Sequence, residues 1–231
     1  MLVKTVLLIL DSLSAVLFRE AIMALHNPHQ RPLRLFRSPA LERLSVISLR
    51  AFVVTWAVAL PLIAWVGWKK SGGGALVAPL LLSGILMWSL FEYAMHRFTF
   101  HWSSSLPFIR GAVFVLHGNH HISSNDPLRN LMPPVVSLPI ASAVWGLCVL
   151  ALGAHGTWLF LGFIGGYVVY DITHFGCHQW PMKGRLASVL KRHHMRHHHG
   201  NEEGNFAITT PLWDKLFGTT IITLKGRNEA R

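Results

Sequence analysis

Between Ala51 and Trp68 the chain reads AFVVTWAVALPLIAWVGW, 18 residues without one charged side chain. A helix needs about 20 mostly apolar residues to cross the hydrocarbon of a bilayer, because it rises only ~1.5 Å per residue. A run of this length commits the chain to a membrane helix more firmly than any other feature. Three further runs repeat the signal. Leu76–Leu90 and Leu131–Leu152 (LMPPVVSLPIASAVWGLCVLAL) are uncharged, and so is the shorter Thr157–Tyr170 (TWLFLGFIGGYVVY), which must borrow flanking residues or tilt to span. The expected fold class is all-α integral membrane, with four transmembrane helices near 48–68, 75–95, 133–152 and 156–173.

Charge orients these spans. Of 21 Lys and Arg, only Lys69 and Lys70 lie between the first two spans, and none lies in the 154–156 turn. The remainder flank the opposite face, so both termini and the 91–130 loop are expected in the cytoplasm. The formal charge of +11 then reads as topology plus attraction to anionic headgroups. It does not read as nucleic-acid binding, because the basic residues track the span ends and form no patch interleaved with aromatics. Cys148 and Cys177 make no disulfide framework. The opening MLVKTVLLILDSLSAVLF is broken by Asp11 and has no small-residue cleavage site. It is expected to lie on the membrane as an amphipathic helix, joined by a Pro- and Arg-rich connector, so that 1–44 precedes the main domain at 45–231.

Histidine carries the chemistry. The stretch LKRHHMRHHHGN holds five histidines between positions 193 and 199, of 15 in the chain. Ten fall into four spaced groups: His96 and His101; His117, His120 and His121; His174 and His178; His194, His197 and His198. Residues at i, i+3 and i+4 share one face of a helix, so HxxHH and HxxxH are expected to aim their rings at one point, as a metal requires. The His96–His101 interval does not: five steps of about 100° leave the pair about 140° apart on an ideal helix, so it should straddle a frayed or turning helix end. Ten imidazoles exceed the needs of one ion and imply two. Iron, zinc and copper all suit imidazole, and spacing does not choose among them. His26, His29 and His155 have no partner spacing; His193 and His199 lie off the shared face, with His193 expected to support the ligands from outside.

Absences narrow the chemistry. HExxH and GxSxG do not occur, nor does the paired Glu and ExxH pattern of ferritin-like di-iron bundles. The nearby carboxylates read as supports: Asp171, three before His174, and Glu92, four before His96, are each expected to accept a ring N–H and set its tautomer. Asp126 and Arg129, at i and i+3, read as an ion pair.

Taken together, EYAMHRFTFH, FVLHGNHHISSNDPLRNLMPP, GYVVYDITHFGCHQWP, LKRHHMRHHHGN and ITTPLWDKLFGT resemble the fatty acid hydroxylase superfamily of membrane di-iron enzymes, most closely its fatty acid 2-hydroxylase branch. The likeness spans roughly residues 35–220. It implies metal ligation by His96, His101, His117, His120, His121, His174, His178, His194, His197 and His198, and a cytosolic helical cap that holds the His-rich dimetal site above four membrane helices. It further implies two iron ions (with zinc as a possible occupant after purification), dioxygen as co-substrate, and hydroxylation at C2 of a lipid acyl chain. No HPGG haem motif occurs, so electrons are expected from a separate cytochrome b5- or ferredoxin-type donor. The membrane would be the inner membrane of a bacterium or the endoplasmic reticulum of a eukaryote. One departure stands out: where the branch reads GFGIT, this chain has NFAIT at 205–209, which points to a change in substrate shape or position of attack. Trp88, Phe91, Trp145 and Phe163 would line an acyl groove, or else pack as core or face lipid.

Two other readings use the same features. A sterol C4-methyl oxidase-like or carotenoid hydroxylase-like enzyme has similar histidine motifs. A divalent-metal transporter has spans and histidines too, but places its ionisable groups near the bilayer midplane, where these spans have almost none.

Overall fold

The computed structural model describes residues 33–200 and 203–222, and among them there is no strand. The main helices are α1 (Pro39–Leu44), α2 (Leu49–Ser71), α3 (Val77–Ala94), α4 (Pro107–Val113), α5 (Asn119–Ile122), α6 (Pro134–Leu152), α7 (Gly156–Gln179), α8 (Arg185–His199) and α9 (Leu212–Leu216). The expected N-terminal amphipathic helix lies outside the described residues, as do His26 and His29. Three helical stretches are long and apolar enough to cross a membrane: Leu49–Ser71, Val77–Phe100 and the 46-residue Pro134–Gln179. The last folds back on itself at a tight turn, Gly153–His155.

Local signals explain the helix ends. The Ser48 side chain accepts the Ala51 N–H at 3.2 Å and starts α2; Gly72, at φ 69°, ends it. The buried residues of α2 are Phe52, Trp56, Ile63 and Gly67, one stripe at helical spacing. The opposite face shows Val54, Val58, Leu62 and Trp65 to the outside, as a lipid-facing helix does.

α7 is the central post, with 15 of its 24 residues buried. Tyr167 receives Phe52 and Trp56 of α2 with ring centroids 6.1 and 5.3 Å away. Trp145 of α6 stacks on Phe160 at 5.5 Å. Contact with α3 is close: a Cβ added at Gly162 would lie 2.1 Å from the Leu81 carbonyl oxygen, and one at Gly84 would lie 2.1 Å from that of Leu159. Only glycine allows this approach, the small-residue contact of membrane helix pairs. Gly84 meets Leu159 and Phe163, and Trp88 meets Gly166, so the two helices run parallel. Their C-terminal ends therefore lie side by side, and the first and third histidine groups are at those ends.

A group of aromatic residues in the spans packs together. Trp88 contacts Phe91, Phe163, Tyr167 and Tyr170 within 5.7 Å, so core packing holds for Trp88 and Phe163, whereas Phe91 also keeps an exposed face as a lipid-facing residue does. The short helices close over the same end. Arg129 pairs with Glu42 of α1 and, at 3.6 Å, with Asp126. Trp213 of α9 donates to Ser89 at 2.8 Å, and Tyr93 stacks on Phe217 at 5.2 Å.

Candidate metal centre

At the C-terminal end of α3 the helix widens into a π-helical turn, Met95–Phe100, with His101 capping it. Bonding from i to i+5 brings residues five apart towards one face, and the His96 and His101 ring centroids come within 5.1 Å. This local geometry resolves the awkward interval. A second such turn, Phe114–Gly118, runs into α5 and holds His117. His174 and His178 sit one turn apart near the end of α7, and α8 supplies the rest. α7 continues to Gln179, past the end near 173 expected from hydropathy.

The ten rings assemble into two sets of five. His96, His101, His117, His121 and His197 form the first, and His120, His174, His178, His194 and His198 the second; within each, one ligand atom per residue lies within 4.8 Å of the others. One expectation is corrected here. Each HxxHH motif does not point at a single centre but divides between both: His117 and His121 enter the first set while His120 enters the second, and His194 and His198 enter the second while His197 enters the first. Residues i and i+4 differ by only about 40° around a helix, but i+3 and i+4 differ by about 100°. Adjacent rings thus serve adjacent centres.

The rings meet through their Nε2 atoms. His96 faces His117 at 3.1 Å, His121 faces His117 at 2.9 Å, and His197 faces His101 and His121 at 3.1 and 3.2 Å. In the second set, His120 faces His198 at 3.1 Å and His178 faces His194 at 2.8 Å. Several of these nitrogens have no proton to share. Nδ1 donates to a backbone carbonyl in His96 (Phe206, 2.5 Å), His197 (Gly204, 2.7 Å) and His174 (Asn130, 3.0 Å), which leaves Nε2 with a lone pair in the neutral ring. The Nε2 of His174 is buried without a hydrogen-bond partner among the described residues. Lone pairs facing one another at such distances repel unless a cation lies between them, so the residues fit metal binding.

Protonation states agree. Burial, and then the charge that His197 would carry beside it, pushes His121 down to about 2. Burial pushes His197 down to about 4 against the opposing pull of the Gly204 carbonyl. His117, His120, His194 and His198 are likewise held below the usual range by burial first and neighbouring rings second. These rings are neutral at pH 7, the form in which imidazole ligates.

The supporting carboxylates act one step further out than their spacing suggests. Asp171 accepts from the Met132 N–H and the Tyr167 hydroxyl, both at 3.0 Å, and not from His174. Glu92 does not reach His96; its Oε1 accepts from the N–H of Ile208 (3.2 Å) and Thr209 (2.9 Å) and from the Thr209 hydroxyl (2.7 Å), and its Oε2 from Trp88. Each carboxylate secures the strand of backbone whose carbonyl orients a ring. His193 is buried and bonds Asp214 at 2.9 Å, and it belongs to neither set of rings. Sequence spacing missed Asp214 altogether. This fully buried carboxylate also accepts from the N–H of Phe206 and Ala207 at 2.9 Å. Asn205 occupies the left-handed region at φ 54°, where Asn is better tolerated than most residues. Its amide bonds the His193 carbonyl (3.0 Å) and the Ile221 N–H (2.8 Å). His155 stands at the other end of α7, 19 positions before His174 and thus about 29 Å along the helix, and His199 is exposed.

A cavity of about 240 Å³ leads to the rings from the side of α1. Phe36, Leu41 and Leu44 line its outer part, Val115, Leu131 and Met132 its flanks, and His117, His120 and His174 its inner end. Trp88, Phe91, Trp145 and Phe163 are not among its walls.

Fold and site together define a helical membrane protein with paired, all-imidazole clusters able to hold metal. Comparison with known proteins agrees. The sequence profile described as Fatty acid hydroxylase matches residues 81–219. Fatty acid 2-hydroxylase of Macaca fascicularis is 34% identical over 219 residues, with 85% of this chain and 59% of that protein covered. Dihydroceramide fatty acyl 2-hydroxylase FAH1 of Arabidopsis thaliana is 32% identical over 85% of this chain and 83% of its own length. The solved structure of full-length Scs7p, in which only the hydroxylase domain is visible, superposes with a TM-score of 0.72 at 30% identity, covering 78% of this chain and 69% of that one. The chain belongs to the fatty acid hydroxylase family. It spans about three-fifths of the length of the macaque relative.

Proposed function

We propose that this chain is a membrane hydroxylase acting at C2 of a lipid acyl chain, with two iron ions held by the ten histidines, dioxygen as co-substrate and an external electron donor. The observation that carries this reading is the meeting of two five-imidazole sets at the inner end of an apolar cavity. The names of the relatives, fatty acid 2-hydroxylase and dihydroceramide fatty acyl 2-hydroxylase, support C2 as the position. None of them favours a sterol or carotenoid substrate. Transport is disfavoured too, because the rings gather at the ends of α3 and α7 rather than midway along them.

Iron, when bound, would supply the redox chemistry that activates dioxygen. The protein's part follows from its own residues. The carbonyls of Phe206, Gly204 and Asn130 fix His96, His197 and His174 as Nδ1–H tautomers, so each Nε2 lone pair is oriented before a metal arrives. Phe36, Leu41 and Leu44 would guide an acyl chain while excluding water, and the inner rings would stop it with its reactive end beside both centres. We take residues 45–231 as the hydroxylase domain, with the 33–44 segment contributing to the cavity wall. Folding back at Gly153–His155 supports four crossings, with the rings on the cytoplasmic side of a bacterial inner membrane or the endoplasmic reticulum. The basic character of that side would attract an acidic cytochrome b5- or ferredoxin-type donor.

Mass spectrometry of lipids from an expressing host tests this reading. Wild-type protein should add 2-hydroxy acyl chains, His120→Ala should abolish them with the protein still in the membrane, and His155→Ala should match wild type. Unchanged acyl lipids with wild-type, metal-loaded protein and a donor present would refute it.

A further inference from the structure

Two sets of rings in contact with each other would be expected to share their outer supports, but here the supports separate. Both carbonyls that orient rings of the first set, Gly204 to His197 and Phe206 to His96, come from one short loop. That loop is clamped along its length: Asp214 takes the N–H groups of Phe206 and Ala207, and Glu92 takes those of Ile208 and Thr209. Phe206 itself lies with its ring centroid 5.8, 5.6 and 5.7 Å from His96, His101 and His197, all members of the first set. The second set draws its carbonyl from elsewhere, Asn130 to His174, in a segment secured by Asp171 through Met132.

We propose that Glu92 and Asp214 are positioning residues for the first metal position alone, acting through the 204–209 loop, and that Asp171 has the same role for the second. This rests on the ten histidines forming two metal positions. The two centres then differ in how their affinity can be tuned, although they are built from identical ligands. Glu92 is the cleaner probe, because Asp214 also bonds His193 on α8, and α8 carries rings of both sets. Its chemistry supplies its own control. In Glu92→Gln a side-chain oxygen can still take all three bonds of Oε1, and only the Trp88 bond to Oε2 is lost, whereas Glu92→Ala removes every one.

The test uses the full chain in detergent micelles, zinc(II) as the probe, and two backgrounds. His120→Ala/His178→Ala/His198→Ala leaves the first set intact with only two rings of the second, too few to hold zinc, and His101→Ala/His117→Ala/His121→Ala does the converse. Equilibrium dialysis should show Glu92→Ala weakening zinc binding by roughly 10- to 100-fold where only the first set remains, the usual cost of losing an outer partner. Glu92→Gln should restore it, and Glu92→Ala should be silent where only the second set remains. Asp171→Ala should give the mirror image, and Asp214→Asn should repeat the Glu92→Ala pattern if that variant does not fold. Equal weakening in both backgrounds, or in neither, overturns the proposal and leaves the two-metal reading standing. Zinc binding that none of the histidine changes alters overturns that reading, and this inference falls with it.

Discussion

The ion pair between Arg129 and Glu42 fastens α1 over the cavity, and replacing Glu42 with alanine should release it. The arginine side chain is 3% exposed and the glutamate 21%, so the pair is largely withdrawn from water. Glu42 does more than pair. Its Oε2 accepts the N–H groups of Leu35 and Phe36 at 2.9 and 2.8 Å, which bends the 33–38 segment back against α1. In Glu42→Ala, Arg129 keeps, among the described residues, only Asp126 at 3.6 Å and the Ser45 hydroxyl at 3.4 Å. Removing one partner of a buried pair typically costs about 3–5 kcal/mol, mostly from the charge left behind. Partial exposure of Glu42 puts the expected loss at the lower end, about 3 kcal/mol. Removing the stranded charge as well, in Glu42→Ala/Arg129→Met, should recover part of it and give a coupling of about 1–3 kcal/mol. Equilibrium unfolding in mixed micelles measures all three variants. A loss under about 1 kcal/mol for Glu42→Ala, the value of a surface pair, or strictly additive single changes, would refute the reasoning.

Other perturbations have equally definite outcomes. Asn205→Ala should destabilise more than Asn205→Gly, because both lose the side-chain bonds but only alanine is strained at positive φ, by about 1–2 kcal/mol; unfolding midpoints in detergent rank the two. Gly162→Leu should prevent α3 and α7 from closing and greatly reduce folded yield, read by size-exclusion chromatography, since its Cβ alone would overlap the Leu81 backbone. Metal-free protein should lose stability as the pH falls from about 6.5 to about 4. The His197 ring stays neutral in the fold down to about 4 but takes a proton from about 6.5 once unfolded. At ~1.4 kcal/mol per pH unit this residue alone contributes about 3 kcal/mol over that window. A thermal midpoint flat across it would count against neutral, buried rings.

Much of this architecture was legible in the chain. Long uncharged runs mark the helices because lipid leaves no alternative partner for backbone polar groups, and the repeated histidine intervals single out the ten rings that the fold gathers into two sets. The division of each HxxHH between two centres was not legible: periodicity identifies a face but not which neighbours stand on either side of it. His96 and His101 come together only through a widened turn that no residue pattern announces. The partners of Glu92, Asp171 and Asp214 were hidden for a related reason. A carboxylate three or four places from a histidine invites a direct bond, yet His96 and His174 find backbone carbonyls that arrive from 110 and 44 residues away, those of Phe206 and Asn130.

Anomalous diffraction at the iron absorption edge, from crystals of the iron-loaded protein, tests the central claim most directly. Two peaks should appear in each molecule, one enclosed by His96, His101, His117, His121 and His197 and the other by His120, His174, His178, His194 and His198. A single peak, or iron bound anywhere outside these two rings of imidazoles, would contradict it.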